Sequence, residues 1–127
     1  MLSRVLAVAA GGALGAVLRY GVSGWVSRLT QASSFPFGTL AVNLAGAFVL
    51  GFVLGSTATG RFLLSPGLRT LVTVGVLGAF TTFSTFTYET VEALRVGDVR
   101  VALANLAVSL AAGLLACWMG LAAGERL

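Results

Sequence analysis

Histidine and lysine are absent from this chain of 127 residues, cysteine occurs once, and acidic residues occur only four times. Each shortage removes a class of function. With no histidine and a single cysteine, Cys117, inside the last apolar run, there is neither a Cys/His metal set nor an internal disulfide. No nucleophile–base pair and no phosphate-binding glycine loop can be assembled from the residues present, so no enzyme is expected. Charged residues make up 9% of the chain, where a soluble domain carries about 25%. A surface so poor in charge cannot face water. The basic residues are all arginine and lie singly along the chain without a basic face, which sets a nucleic-acid partner aside.

In place of charge there is apolar length. The chain is 57% hydrophobic with a mean hydropathy of +0.99, and uncharged runs cover 5–18, 29–60, 70–88 and 101–124. A bilayer crossing takes about 20 predominantly apolar residues. Three runs meet that length directly, and the first does so if Arg19 lies near a helix end or faces a polar cavity. The expectation is one all-α membrane domain over 1–127, with four transmembrane helices at 4–28, 38–59, 67–95 and 98–123. Met1-Leu2-Ser3-Arg4 ahead of an apolar run has the form of a signal peptide, but the membrane pattern continues to the end, so the first helix is expected to be retained. Proline and glycine punctuate the turns at 33–38 and 59–67, and Asp98 is placed to cap the last helix after the turn at 95–98. Gly11, Gly12, Gly15, Gly46, Gly51, Gly55 and Gly113, with alanine neighbours, form faces that let helices approach closely.

The third run holds the most unusual segment. Residues 75–88 read GVLGAFTTFSTFTY, with five hydroxyl residues and three phenylalanines at 80–87. Threonine and glycine are poor helix formers, and Gly75 and Gly78 followed by Thr81-Thr82 mark where the helix is expected to break at membrane depth. Such breaks persist only where they are buried in protein or line a cavity, and their freed carbonyls can hold cations. The plainer reading is an intact helix whose hydroxyls bond back one turn; the density of hydroxyls favours the break. Phe80, Phe83 and Phe86 recur every three residues, so neighbouring members share a face. They are either packing or a stripe of rings whose positive edges solvate an anion. Asn43 in the second helix, and Asn105 with Ser109 at i, i+4 in the fourth, are interhelical hydrogen-bond formers or pore donors. Arg19 is a functional candidate as the one cation near the membrane interior, or it snorkels to the interface.

Three stretches resemble the Fluc (CrcB) family of bacterial fluoride channels. They are residues 12–20 (GALGAVLRY), 38–46 (GTLAVNLAG) and 78–86 (GAFTTFSTF), the last being highly specific. The resemblance implies a passive fluoride-specific channel of the bacterial inner membrane that exports fluoride from the cytoplasm and relieves its toxicity. It implies an antiparallel, dual-topology homodimer with two pores. Phe83 and Phe86 would line the pores with Asn43 as a polar contributor, alongside the candidates Phe80, Ser84, Thr85, Asn105 and Ser109, with Arg19 in a structural role. A structural Na⁺, not transported, would be held by the carbonyls of Gly78 and Thr81. Some relatives place a tyrosine in the pore from the fourth helix; Asn105 stands at that position here. The rival is a small multidrug exporter, also a four-helix dual-topology dimer. It requires a carboxylate in the middle of the first helix, where this chain has only apolar residues from Gly11 to Leu18.

Orientation follows the excess of basic residues on the cytoplasmic side. Arg4, Arg61, Arg69 and Arg126 fall on one side of a four-helix arrangement, and Arg28, Arg95 and Arg100 on the other, with Arg19 just inside. The near balance fits either a single topology with a weak bias or insertion both ways; insertion both ways predicts that a reporter after Arg126 is found on both faces of the membrane in similar amounts. Two or three lysines added to one loop should force a single orientation and abolish activity, and the oppositely biased variant should restore it on co-expression. A uniform location of the unmodified C-terminus would refute dual insertion.

Overall fold

The computed structural model describes residues 2–60 and 64–126; Arg61, which enters the charge balance above, lies outside them. Four long apolar segments dominate, at Leu2–Leu29, Phe37–Ala58, Pro66–Arg95 and Val99–Arg126, each long and apolar enough to cross a membrane. No strand occurs among the described residues. The first, second and fourth segments are the single helices α1 (Leu2–Leu29), α2 (Phe37–Ala58) and α6 (Val99–Arg126). The third is composite: α3 (Pro66–Thr70), a π-helical stretch (Leu71–Leu77), α4 (Gly78–Phe80) and α5 (Phe83–Arg95).

The ends follow from local chemistry. Pro66 opens α3 at a position where its missing N–H costs nothing, and the Ser65 hydroxyl accepts from the Leu68 N–H at 3.3 Å. The turn between α5 and α6 satisfies both helices at once. Gly97 takes φ +85°, the left-handed conformation that glycine alone enters without strain. Its N–H reaches the Leu94 carbonyl, and the Asp98 N–H reaches that of Ala93 at 2.8 Å, a Schellman closure. The Asp98 carboxylate then accepts from the Val101 N–H at 3.2 Å, so the expected cap of the last helix is present.

Few large side chains are buried: Val42, Leu77, Phe86 and Ala102 make up the apolar core. Helices instead meet backbone to backbone, as expected where the outer surface is solvated by lipid rather than driven inward by water. Against α6, Gly51 and Gly55 of α2 lie under the carbonyls of Cys117 and Leu121, while Gly120 and Gly124 of α6 lie under those of Phe48 and Phe52. Along α1, Gly11 and Gly15 sit against the π-helical stretch, at Gly75 and Val76. Of the small-residue positions expected from the sequence, Gly12 and Gly113 have open space around them, and Gly120 and Gly124 take part without having been singled out. Large apolar side chains such as Val17, Leu114 and Trp118 point outward.

A β-carbon on Gly124 would fall on the Phe52 carbonyl and the Ser56 backbone, neither of which can move without the helix. Gly124→Val is therefore expected to cost about 2 kcal/mol or more, read as a lowered thermal midpoint in detergent. Gly113→Ala, with nothing nearby, should leave the midpoint unchanged or slightly raised.

Candidate functional site

The site is built where the third segment stops being a helix. Thr81 (φ −86°, ψ 156°) and Thr82 (φ −149°, ψ 114°) are extended, and this turns the N–H groups of the following residues away from the carbonyls they would otherwise reach. The Thr82 N–H donates instead to Asn43 Oδ1 at 2.7 Å, and Asn43 Nδ2 donates to the Thr82 carbonyl at 3.1 Å. The carboxamide has the same donor and acceptor as a peptide unit, and it pairs with Thr82 as a neighbouring strand would. The Thr85 N–H donates to the Thr82 hydroxyl at 3.2 Å, which makes Thr82 the N-cap of α5. The i−4 partners that these two N–H groups forgo are the carbonyls of Gly78 and Thr81. Gly46 makes this possible: a β-carbon there would collide with the Thr81 methyl and crowd the Phe80 ring.

The remaining candidates distribute around this point. Phe83 is 74% exposed and Phe86 6%; their rings lie one turn apart at 5.6 Å between centroids, tilted by 47°. Phe80 precedes the extended residues, so the spacing of three does not carry the stripe across them. Ser84 and Thr85 are exposed at the start of α5. A cavity of about 330 Å³ runs past Asn43, Gly78, Thr81, Thr82 and Phe83. On the other side, half-buried Arg19 lines a smaller cavity of about 210 Å³ with Ser23, Thr39, Thr82 and Thr85. There the guanidinium and the positive end of the α5 dipole share one space, which favours an anion. Asn105 and Ser109 are not beside these groups. Asn105 is buried between α6 and α5, donating to the Thr90 hydroxyl and accepting from Ser109.

Thr39 and Glu89 were not singled out from the sequence. The Thr39 hydroxyl donates to Glu89 Oε1 at 2.7 Å, while Glu89 Oε2 is buried without a partner among the described residues. Glu89 also lines a third cavity, of about 340 Å³, with Glu92 and Asp98. Thr39 thus stands between an arginine-lined space and an acidic one. The signal was available in part: Thr39 precedes Asn43 by four residues and so shares its helix face. Glu89 reads from the sequence only as a residue near a helix end. Among the described residues no cluster of three or more histidine, cysteine or acidic residues is placed to hold a metal, so any cation here would rest on backbone carbonyls.

Residues 6–121 match the family described as CrcB-like protein, camphor resistance (CrcB). Two proteins of Symbiobacterium thermophilum, fluoride-specific ion channels FluC 1 and FluC 2, are 48% and 50% identical to this chain. Each alignment covers 89% of this chain and 90% of the relative. The fluoride-specific ion channel FluC of Acidobacterium capsulatum is 43% identical over 98% of both chains.

Asn43→Leu keeps the volume but removes both partners of Thr82. An unpaired buried donor or acceptor costs about 1–3 kcal/mol, so the variant should lose roughly twice that, measured by thermal unfolding in detergent. Unchanged stability would mean that the carboxamide is not what holds the interruption.

Proposed function

This chain belongs to the CrcB-like family, and we propose that it is a fluoride-specific ion channel that passes fluoride through two pores of an antiparallel homodimer. It is a multi-pass membrane protein and not an enzyme. The observation that carries the reading is the interruption at Thr81-Thr82, where hydroxyls, a carboxamide and an exposed phenyl ring converge on a cavity between helices.

Fluoride is small and strongly hydrated. A pore must replace its water with closely spaced donors yet release the ion on the far side. Fixed cations would hold it too long. The hydroxyls of Ser84 and Thr85, the remaining N–H of Asn43 and the positive edges of the Phe83 and Phe86 rings supply partial charges instead. Arg19 acts from the adjoining cavity, raising the anion concentration at the entrance.

A second copy is supported by two features. Phe83 is exposed beside an open, largely apolar cavity that also holds Asn43, Thr81 and Thr82, an arrangement that a facing protein surface can close. The balanced arginines are compatible with opposed orientations of the two copies. In an antiparallel pair, the interrupted segments meet near the two-fold axis, so the Gly78 and Thr81 carbonyls of both copies form an oxygen-only cage. That donor set, without carboxylates, suits a single hard cation such as Na⁺. When bound, the ion supplies fixed positive charge to both pores and is not itself carried. The multidrug-exporter alternative has no support, because α1 lacks a carboxylate between Gly11 and Leu18.

The experiment is anion efflux from liposomes loaded with fluoride or chloride. The purified protein should release fluoride rapidly and leave chloride inside. Phe83→Ile and Phe86→Ile should each stop fluoride efflux with little loss of folded protein, since they keep an apolar side chain and remove the ring edge. Equal release of both halides, or normal flux in both isoleucine variants, would contradict the reading.

A further inference from the structure

Tyr20, Gly21, Gly24, Trp25 and Arg28 line a trough of about 240 Å³ near the end of α1. At about 100° per residue they fall on the face opposite the one that packs, where Gly11 and Gly15 meet the third segment and Ser23 and Ser27 lie against Gly38 of α2. Tyr20 is 83% exposed and Trp25 63%, while a β-carbon on Gly21 or Gly24 would meet nothing. Two rings thus stand as walls beside a bare floor. The helix has 28 residues, about 42 Å of length against a hydrocarbon core of about 30 Å. Centred in the bilayer, it leaves about four residues beyond each edge. Arg28 then stands at headgroup level, Trp25 at the edge of the hydrocarbon and Tyr20 below it. Among the described residues the one ion pair joins Arg95 and Glu92, so exposed Arg28 has no carboxylate partner there.

We infer that this trough is a binding site for one anionic phospholipid, with its phosphate on the Arg28 guanidinium and an acyl chain laid between Tyr20 and Trp25 over Gly21 and Gly24. A guanidinium presents paired N–H groups that match two phosphate oxygens at once. Amphipathic rings settle at the headgroup boundary in any membrane protein, so an interfacial tryptophan alone is ordinary. What distinguishes this one is the bare floor beside it. The floor runs from headgroup depth toward the midplane, the direction in which an acyl chain leaves its phosphate. At the other end of α1, Arg4 borders a cavity lined only by Val5, Val8 and Ala9, without a ring for a wall. The inference needs α1 to span the membrane and does not rest on the fluoride-channel reading.

The chain has two tryptophans, and Trp118, 64% exposed in the uncharged run of α6, serves as the control. Trp118→Phe leaves Trp25 as the reporter, and Trp25→Phe leaves Trp118. Each protein is placed in phosphatidylcholine vesicles in which a minor share of the lipid carries bromine on its acyl chains, where it quenches a ring it touches. The brominated lipid is phosphatidylglycerol in one set and phosphatidylcholine in the other. Phosphatidylglycerol should be enriched about fivefold at Trp25, the scale of one arginine facing an anionic headgroup, with no such preference at Trp118. Arg28→Gln should abolish the preference. Arg4→Gln, which removes the same charge from the other end of the helix, should leave it intact. Inorganic phosphate in the water, compared with chloride at equal ionic strength, should not displace the lipid. Equal quenching of Trp25 by both lipids, or a preference that Trp118 shares or that survives Arg28→Gln, would overturn the site. So would displacement by inorganic phosphate, which marks a free-anion site, or a Trp25 that neither lipid quenches, which marks a face covered by a second copy.

Discussion

Everything around the site depends on one pairing, that of the Asn43 carboxamide with the backbone of Thr82. Within hydrocarbon an unpaired peptide group costs several kcal/mol, and an extended pair of residues in a helical segment creates several such groups at once. Asn43 returns a donor and an acceptor to Thr82 at 3.1 and 2.7 Å, and the Thr82 hydroxyl caps the helix that follows. The interruption is thereby held as a structure of its own, with part of its cost met by these two side chains.

The pairing in turn needs α2 to lie close against the third segment, and glycine supplies the clearance. Gly46 sits one turn beyond Asn43, and any larger residue would push Thr81 away. The far half of α2 is locked to α6 by the reciprocal glycine contacts of Gly51, Gly55, Gly120 and Gly124, and α6 carries Asn105, which bonds to Thr90 on α5. A closed path of contacts therefore runs from the interruption along α2, across to α6 and back to α5. The phenyl rings of Phe83 and Phe86 stand on a short helix fixed at its first turn by Thr82 and at its middle by Asn105. Ring edges are weak anion ligands and work only where their direction is set.

Much of this was legible in the residues. The four segments follow from apolar length, and the polar cluster at 80–87 marked the third as exceptional because hydroxyls at such density do not suit a helix that only packs. Asn43 stood out for the same reason. What the sequence does not carry is which donor meets which acceptor. Asn43 and Thr82 are separated by almost forty positions, and only the close approach of two backbones makes them partners. Thr39 and Glu89 were hidden likewise, since a threonine in an apolar helix and a glutamate near a helix end are unremarkable until 2.7 Å apart. The three-residue spacing of phenylalanines was real, but its meaning stops at Thr81, because extended residues reset the helical face.

We propose that the interruption makes this fold a channel by freeing the Gly78 and Thr81 carbonyls to hold a cation between two copies of the chain. The measurement that bears on it most directly is fluoride efflux from liposomes freed of Na⁺ on both faces, followed by return of Na⁺. Flux should disappear, recover when Na⁺ is restored and proceed without movement of Na⁺ itself. Full and stable fluoride flux in the complete absence of Na⁺ would contradict it.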